Sequence, residues 1–146
     1  MASSFLKGST MQSYFHDTLR VGYYENIGAF LGLGDTLPEE PRFWIFTFSV
    51  GVFLLGLFAY ILTSRKLNIV DIIALSLFLG GGVSNFYDRA TNSGAVIDFL
   101  NIGVGSFRTG IFNVADMAIM LGAAILLFVS FKQQRDKPNT SNQSLQ

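Results

Sequence analysis

The residues best able to do chemistry in this chain are aspartates set beside apolar runs. Asn113 and Asp116 open the stretch FNVADMAIMLGAAILLFVSF, residues 112–131, which is long and apolar enough to cross a bilayer. A carboxylate at that depth loses hydration unless something compensates, so it is a functional candidate by default. Asp98 sits in AVIDFL, flanked by Val96, Ile97, Phe99 and Leu100. Asn85, Asp88 and Arg89 share one helical face of GGGVSNFYDR, and Asn26 lies in ENIGAF. Two carboxylates in a partly dry site do not easily both ionise, so one proton tends to be shared. The ionised member can deprotonate a water while the protonated member hydrogen-bonds a peptide carbonyl. Joined in that way, Asp98 and Asp116 would support acid–base peptide hydrolysis without a metal or a covalent nucleophile.

Composition narrows the alternatives. The 146 residues include no cysteine, which removes thiol chemistry, disulfides and Cys-based metal sites. The single His16 cannot build a multi-histidine metal site and reads as a surface residue. No metal and no cofactor is expected. Zero formal net charge gives no reason to expect a nucleic-acid partner. Half the residues are hydrophobic and 14% are charged, against about a quarter in soluble domains, which points to a membrane protein. Each polar motif also has a simpler account. Asn113 is a good N-cap, with Asp116 at a first-turn position that the helix dipole favours. Asp88 and Arg89 could be an interfacial charge pair, Asp98 could sit on an exposed strand face, and Asn26 could be a turn residue. The glycine run 80–82, with Gly81 at its centre, reads as structural support through close helix packing.

Stepping outward, three segments of spanning length must position these groups: residues 43–63, 69–87 and 112–131. Arg65 and Lys66 follow the first, and Lys132, Arg135 and Lys137 follow the third, so the positive-inside rule makes both connections cytoplasmic. Residues 1–42 and 88–111 then lie outside. Their short apolar and aromatic runs, broken by Gly and Asn, predict strands and turns rather than helices. Their apolar content suggests a sheet lying against the outer face of the membrane. Residues 1–132 read as one membrane domain, and the polar stretch 133–146 as a disordered cytoplasmic tail. The opening MASSFLKGSTMQS lacks the apolar core of a cleavable signal peptide.

ENIGAF, GGGVSNFYDR, VIDF and FNVAD, in this order and between these spans, resemble the lipoprotein signal peptidases (signal peptidase II). The resemblance implies an α-helical integral membrane protein with a small extracytoplasmic β-cradle. It implies aspartic endopeptidase activity on diacylglyceryl-modified prolipoproteins, cleaved before the lipidated cysteine, in the bacterial inner membrane. Carried over by motif, Asp98 and Asp116 become the catalytic pair. Asn26, Asn85, Arg89 and Asn113 become residues lining the substrate site, with Asp88 supporting its architecture. Membrane lipids and the lipid-modified precursor are the expected partners, and a monomer is the expected state. The family usually has four membrane helices, the first preceding the NxGAF strand. Residues 1–22 are too short and too polar for that helix, so a truncated or reduced homologue is expected, and Ser84 stands where the family usually has Gly. Two rivals follow: a non-catalytic paralogue that binds lipoprotein or signal peptide, and a small ion or solute pathway using the same aspartates.

Overall fold

The computed structural model describes residues 10–29 and 33–135. Three helices, α1 (Glu39–Thr63), α2 (Ile69–Thr91) and α3 (Val114–Arg135), are each long and apolar enough to cross a membrane. Each starts on a local signal. Two glutamates, Glu39 and Glu40, occupy the first turn of α1 beside Pro41, where a missing N–H costs nothing. Asn68 and Asp71 form a reciprocal capping box at the head of α2. Within α1, Trp44–Phe48 is wound as a π-helix, a local widening of the turn.

The helices differ from expectation at their ends. α1 begins at Glu39, inside the segment read as strands, and α2 continues to Thr91, so Asp88 and Arg89 are helical rather than part of the outer connection. α3 runs on to Arg135, so the first residues of the expected tail are helical, and residues 136–146 lie outside the described residues.

Packing between the helices depends on small residues. Gly81 is buried, and a Cβ there would collide with the Ala115 carbonyl oxygen and lie 2.8 Å from Ile119 Cγ1. A Cβ on Gly122 would lie 2.5 Å from the Ala74 carbonyl oxygen, and Ala74 is fully buried. Backbone approach of this kind is how helices associate in lipid, where apolar burial gives no driving force between them. The first helix sits more loosely, with Leu54 as the one buried residue of Ser49–Thr63. Large apolar side chains such as Leu55, Leu62, Leu127 and Phe128 remain exposed around the bundle, as a lipid-facing surface requires.

A four-stranded antiparallel sheet lies at one end of the helices, ordered β1 (Gln12–Tyr14), β2 (Leu19–Asn26), β3 (Val96–Val104) and β4 (Phe107–Arg108). The strands that sequence alone predicted in the outer segments are therefore present. β1–β2 and β3–β4 are hairpins, the second closed by Gly105 and Ser106 with Gly105 at φ 56°, a value that glycine adopts without strain. The centre of the sheet pairs β2 with β3 across the whole intervening chain, with a bulge between Val21 and Tyr24. An isolated bridge joins Leu100 to Phe112, delivering the chain directly into α3.

Candidate active site

Asp98 and Asn26 stand near the site end of the central strand pair, where Tyr24 faces Asp98 and Asn26 faces Val96. The Asp98 side chain points off the sheet toward the start of α3. It is 2% exposed, so it does not lie on an open strand face. Two amides satisfy it: Asn26 Nδ2 donates to Oδ2 at 2.9 Å, and Asn113 Nδ2 donates to Oδ1 at 2.8 Å. Burial pushes the Asp98 carboxyl up to about 6, with the nearby Asp116 charge adding to the rise. The Asn26 and Asn113 donors and the Arg89 charge oppose it.

Asn113 and Asp116 do two jobs at once. Asn113 Oδ1 accepts from the Asp116 backbone N–H at 3.0 Å, and Asp116 Oδ2 accepts from the Asn113 backbone N–H at 2.9 Å. That reciprocal pair is a capping box, so the helix-start reading is correct. The groups left over reach across to other elements. Asn85, on α2, donates through Nδ2 to Asp116 Oδ1 at 2.8 Å and accepts at Oδ1 from Asn113 Nδ2 at 3.1 Å. Asn113 therefore stands between the two carboxylates, holding Asp98 with its amide nitrogen and the head of α3 with its oxygen. No direct hydrogen bond links Asp98 to Asp116 among the described residues.

Asp88 and Arg89 do not pair with each other. Asp88 Oδ2 accepts from the Ile97 backbone N–H at 3.1 Å, tying the end of α2 to the strand that carries Asp98. Arg89 Nη2 donates to the Gly28 carbonyl at 2.6 Å, and its Nε is buried with no partner among the described residues. Gly28 was not singled out from sequence. It is buried, and its N–H caps back onto Asn26 Oδ1 at 3.1 Å. The turn reading of Asn26 thus holds alongside its contact with Asp98. The signal for Gly28 was its place two residues after Asn26, where an Asx turn closes. His16 is exposed, as expected, and so is Ser84.

A cavity of about 320 Å³ opens beside these groups. Asn85, Arg89 and Asp116 form its polar wall, and Phe46, Phe53 and Ile119 are among its apolar lining. No cluster of side chains with metal-ligand character occurs among the described residues. Fold and site together define a multi-pass membrane protein with a pocket at one end of its helices whose polar wall is a carboxylate, a guanidinium and an amide.

The family model described as Signal peptidase (SPase) II matches residues 1–132. The lipoprotein signal peptidase of Brevibacillus brevis is 38% identical over 115 residues, covering 79% of this chain and 72% of that protein. That of Halalkalibacterium halodurans is 32% identical over 119 residues, covering 82% and 72%. Among solved structures, a bacterial membrane enzyme determined in meso superposes with a TM-score of 0.74 at 25% identity, over 94% of this chain and 80% of that one. This chain belongs to the signal peptidase II family, and is a multi-pass bacterial membrane protease of signal-peptide processing.

Proposed function

We propose that this protein cleaves lipid-modified prolipoproteins before the lipidated cysteine by an aspartic mechanism, with Asp98 and Asp116 as the acid–base pair. The observation that carries the reading is the joining of Asp98 and Asp116, from different elements, through Asn113 and Asn85, with Asp116 and Asn85 in the wall of the cavity and Asp98 buried behind them. The carboxyl that burial favours in its protonated form, Asp98, donates its proton to the scissile carbonyl oxygen. Asp116 takes a proton from the attacking water, whose oxygen bonds to the carbonyl carbon. On collapse, Asp116 returns that proton to the departing amine, the C–N bond breaks, and Asp98 recovers its own from the gem-diol. Carboxylic acid and amine leave, and the pair is as it began.

The surrounding groups position rather than react. Asn85 and Asn113 orient the carboxylates, and Arg89 offers a guanidinium beside the cavity for carbonyl or phosphate oxygens. Asp88 and Gly81 hold the strand and the helix pair in place. The positive-inside pattern supports a site on the extracytoplasmic face of the inner membrane, and the protein is expected to act as a monomer. The test is cleavage of a diacylglyceryl-modified prolipoprotein in detergent or lipid. Asp98→Asn and Asp116→Asn should each abolish it, because an amide cannot relay the proton; full activity in either would refute the aspartic mechanism.

A further inference from the structure

A second cavity, of about 230 Å³, opens between the start of α1 and the end of α2. Helical spacing puts Glu39, Arg42 and Thr47 of α1 on its wall, and Arg89 and Ser93 close it from α2 and the turn that follows. Arg89 lines the larger cavity as well, so its side chain is the partition between the two. The charged groups on this wall leave one another unpaired. Glu39 and Arg42 stand three apart on one helix, a spacing that ordinarily lets such a pair meet, yet neither forms an ion pair among the described residues. Arg42 Nη1 points to the Leu37 carbonyl at 3.5 Å, longer than an ordinary N–H···O bond. Arg89 gives Nη2 to Gly28, while its Nη1 makes no hydrogen bond among the described residues.

Depth selects the ligand. The uncharged run 43–63 starts immediately after Arg42, and Asp88 and Arg89 are the first charges after Asp71 along α2. Both guanidiniums therefore stand where an apolar span gives way to polar sequence, the level of the lipid headgroups. Phe43, Trp44 and Phe48, each about half exposed, stack edge to face on α1 beside the cleft, as aromatic residues do at that boundary. The cavity falls below the roughly 300–1,000 Å³ of pockets for drug-sized ligands, which suits a headgroup. Two guanidiniums match a phosphate, whose oxygens take the paired donors of arginine. They do not account for Glu39, which repels one. A carboxylate beside them requires a ligand that carries a cation a few bonds from its phosphate.

We infer that this cleft binds the headgroup of a zwitterionic phospholipid, a phosphate joined to a primary ammonium. Arg42 and Nη1 of Arg89 hold the phosphate, with the hydroxyls of Thr47 and Ser93 beside it, and Glu39 takes the ammonium. The last turn of α2 borders the cleft through Ala90, and its carbonyl end favours a cation as Glu39 does. The site shares Arg89 with the proposed substrate site but none of its proton chemistry.

The test is binding of tail-labelled phosphatidylethanolamine and phosphatidylglycerol to the purified full chain in detergent, read by fluorescence. The parent should bind the ethanolamine lipid several-fold more tightly than the glycerol lipid, which has the phosphate but no ammonium. Glu39→Gln should remove that preference while leaving phosphatidylglycerol binding no weaker. Arg42→Gln should weaken both lipids about tenfold, the loss of one charge-assisted hydrogen bond. Glu39 is exposed and its readout is a ratio, so that variant stays decisive even where Arg42→Gln folds poorly. No saturable binding, equal affinity of the parent for both lipids, or an unchanged ratio in Glu39→Gln overturns the inference. Displacement by free phosphoethanolamine at the lipid's own concentration overturns the lipid source, and displacement by the lipid-modified precursor gives the cleft to substrate instead. Binding is read without cleavage, so a wrong catalytic assignment would leave the result intact.

Discussion

Replacing Asp98 by Asn should change stability with a sign that depends on pH. In the folded protein the carboxyl is pushed up to about 6, against 3.8 for an unperturbed aspartate. A folded value above the unfolded one means the folded state binds the proton more tightly. The side chain therefore costs nothing below about pH 4, and the cost grows as pH rises to about 6 and is complete above it. Each pKa unit is worth about 1.4 kcal/mol, so the ionised carboxylate costs about 3 kcal/mol at pH 7. Asn removes that cost. It also leaves one oxygen where two now accept, so either the Asn26 or the Asn113 amide loses its acceptor at about 1–2 kcal/mol. Asp98→Asn should then be more stable than the parent by about 1–2 kcal/mol at pH 7 and less stable by about 1 kcal/mol at pH 4. Thermal unfolding in detergent at the two pH values reads the difference. An offset of the same sign and size at both would refute the claim that burial governs this carboxyl. In the same samples, parental kcat/KM should fall on the alkaline side from near pH 6, where the proton of the pair is lost.

Arg89→Lys should lower precursor cleavage at least tenfold while barely changing the yield of folded protein, because an ammonium lacks the rigid planar fork with which the guanidinium holds the Gly28 carbonyl through one nitrogen and aims its other donors in fixed directions; unchanged kcat/KM would remove Arg89 from the substrate site. Gly81→Ala should destabilise the fold by about 1–3 kcal/mol through its collision with Ala115 and Ile119, seen as a lower unfolding temperature; an unchanged midpoint would mean α2 and α3 do not approach as described. Single cysteines at Lys66 and Ser13 should differ toward an impermeant thiol reagent applied outside the cell, with only position 13 labelled. The opposite pattern would put the site on the cytoplasmic side.

The three helices were legible because spanning length and hydropathy act locally, and a bilayer demands both whatever the tertiary arrangement. The cap at Asn113 and Asp116 was legible for the same reason: its hydrogen bonds run between residues three apart. Even the strands of the outer segments showed in runs broken by Gly and Asn. What the sequence left open was which account of each polar residue holds, and at several positions both do. Asn113 caps a helix with its oxygen and binds Asp98 with its nitrogen; only the second bond needs the sheet to arrive. Asp98 reads alike on a wet strand or a buried one. The tertiary structure decides for burial by laying β3 against the head of α3 through the Leu100–Phe112 bridge. Asp88 and Arg89, adjacent and opposite in charge, turn instead to Ile97 and Gly28. The helix ends moved for a comparable reason: Asp88 ties α2 to the strand while the helix runs on to Thr91. Local sequence sets which elements form, whereas partners far apart in the chain determine which polar group loses water, and that loss of water gives Asp98 its altered proton affinity.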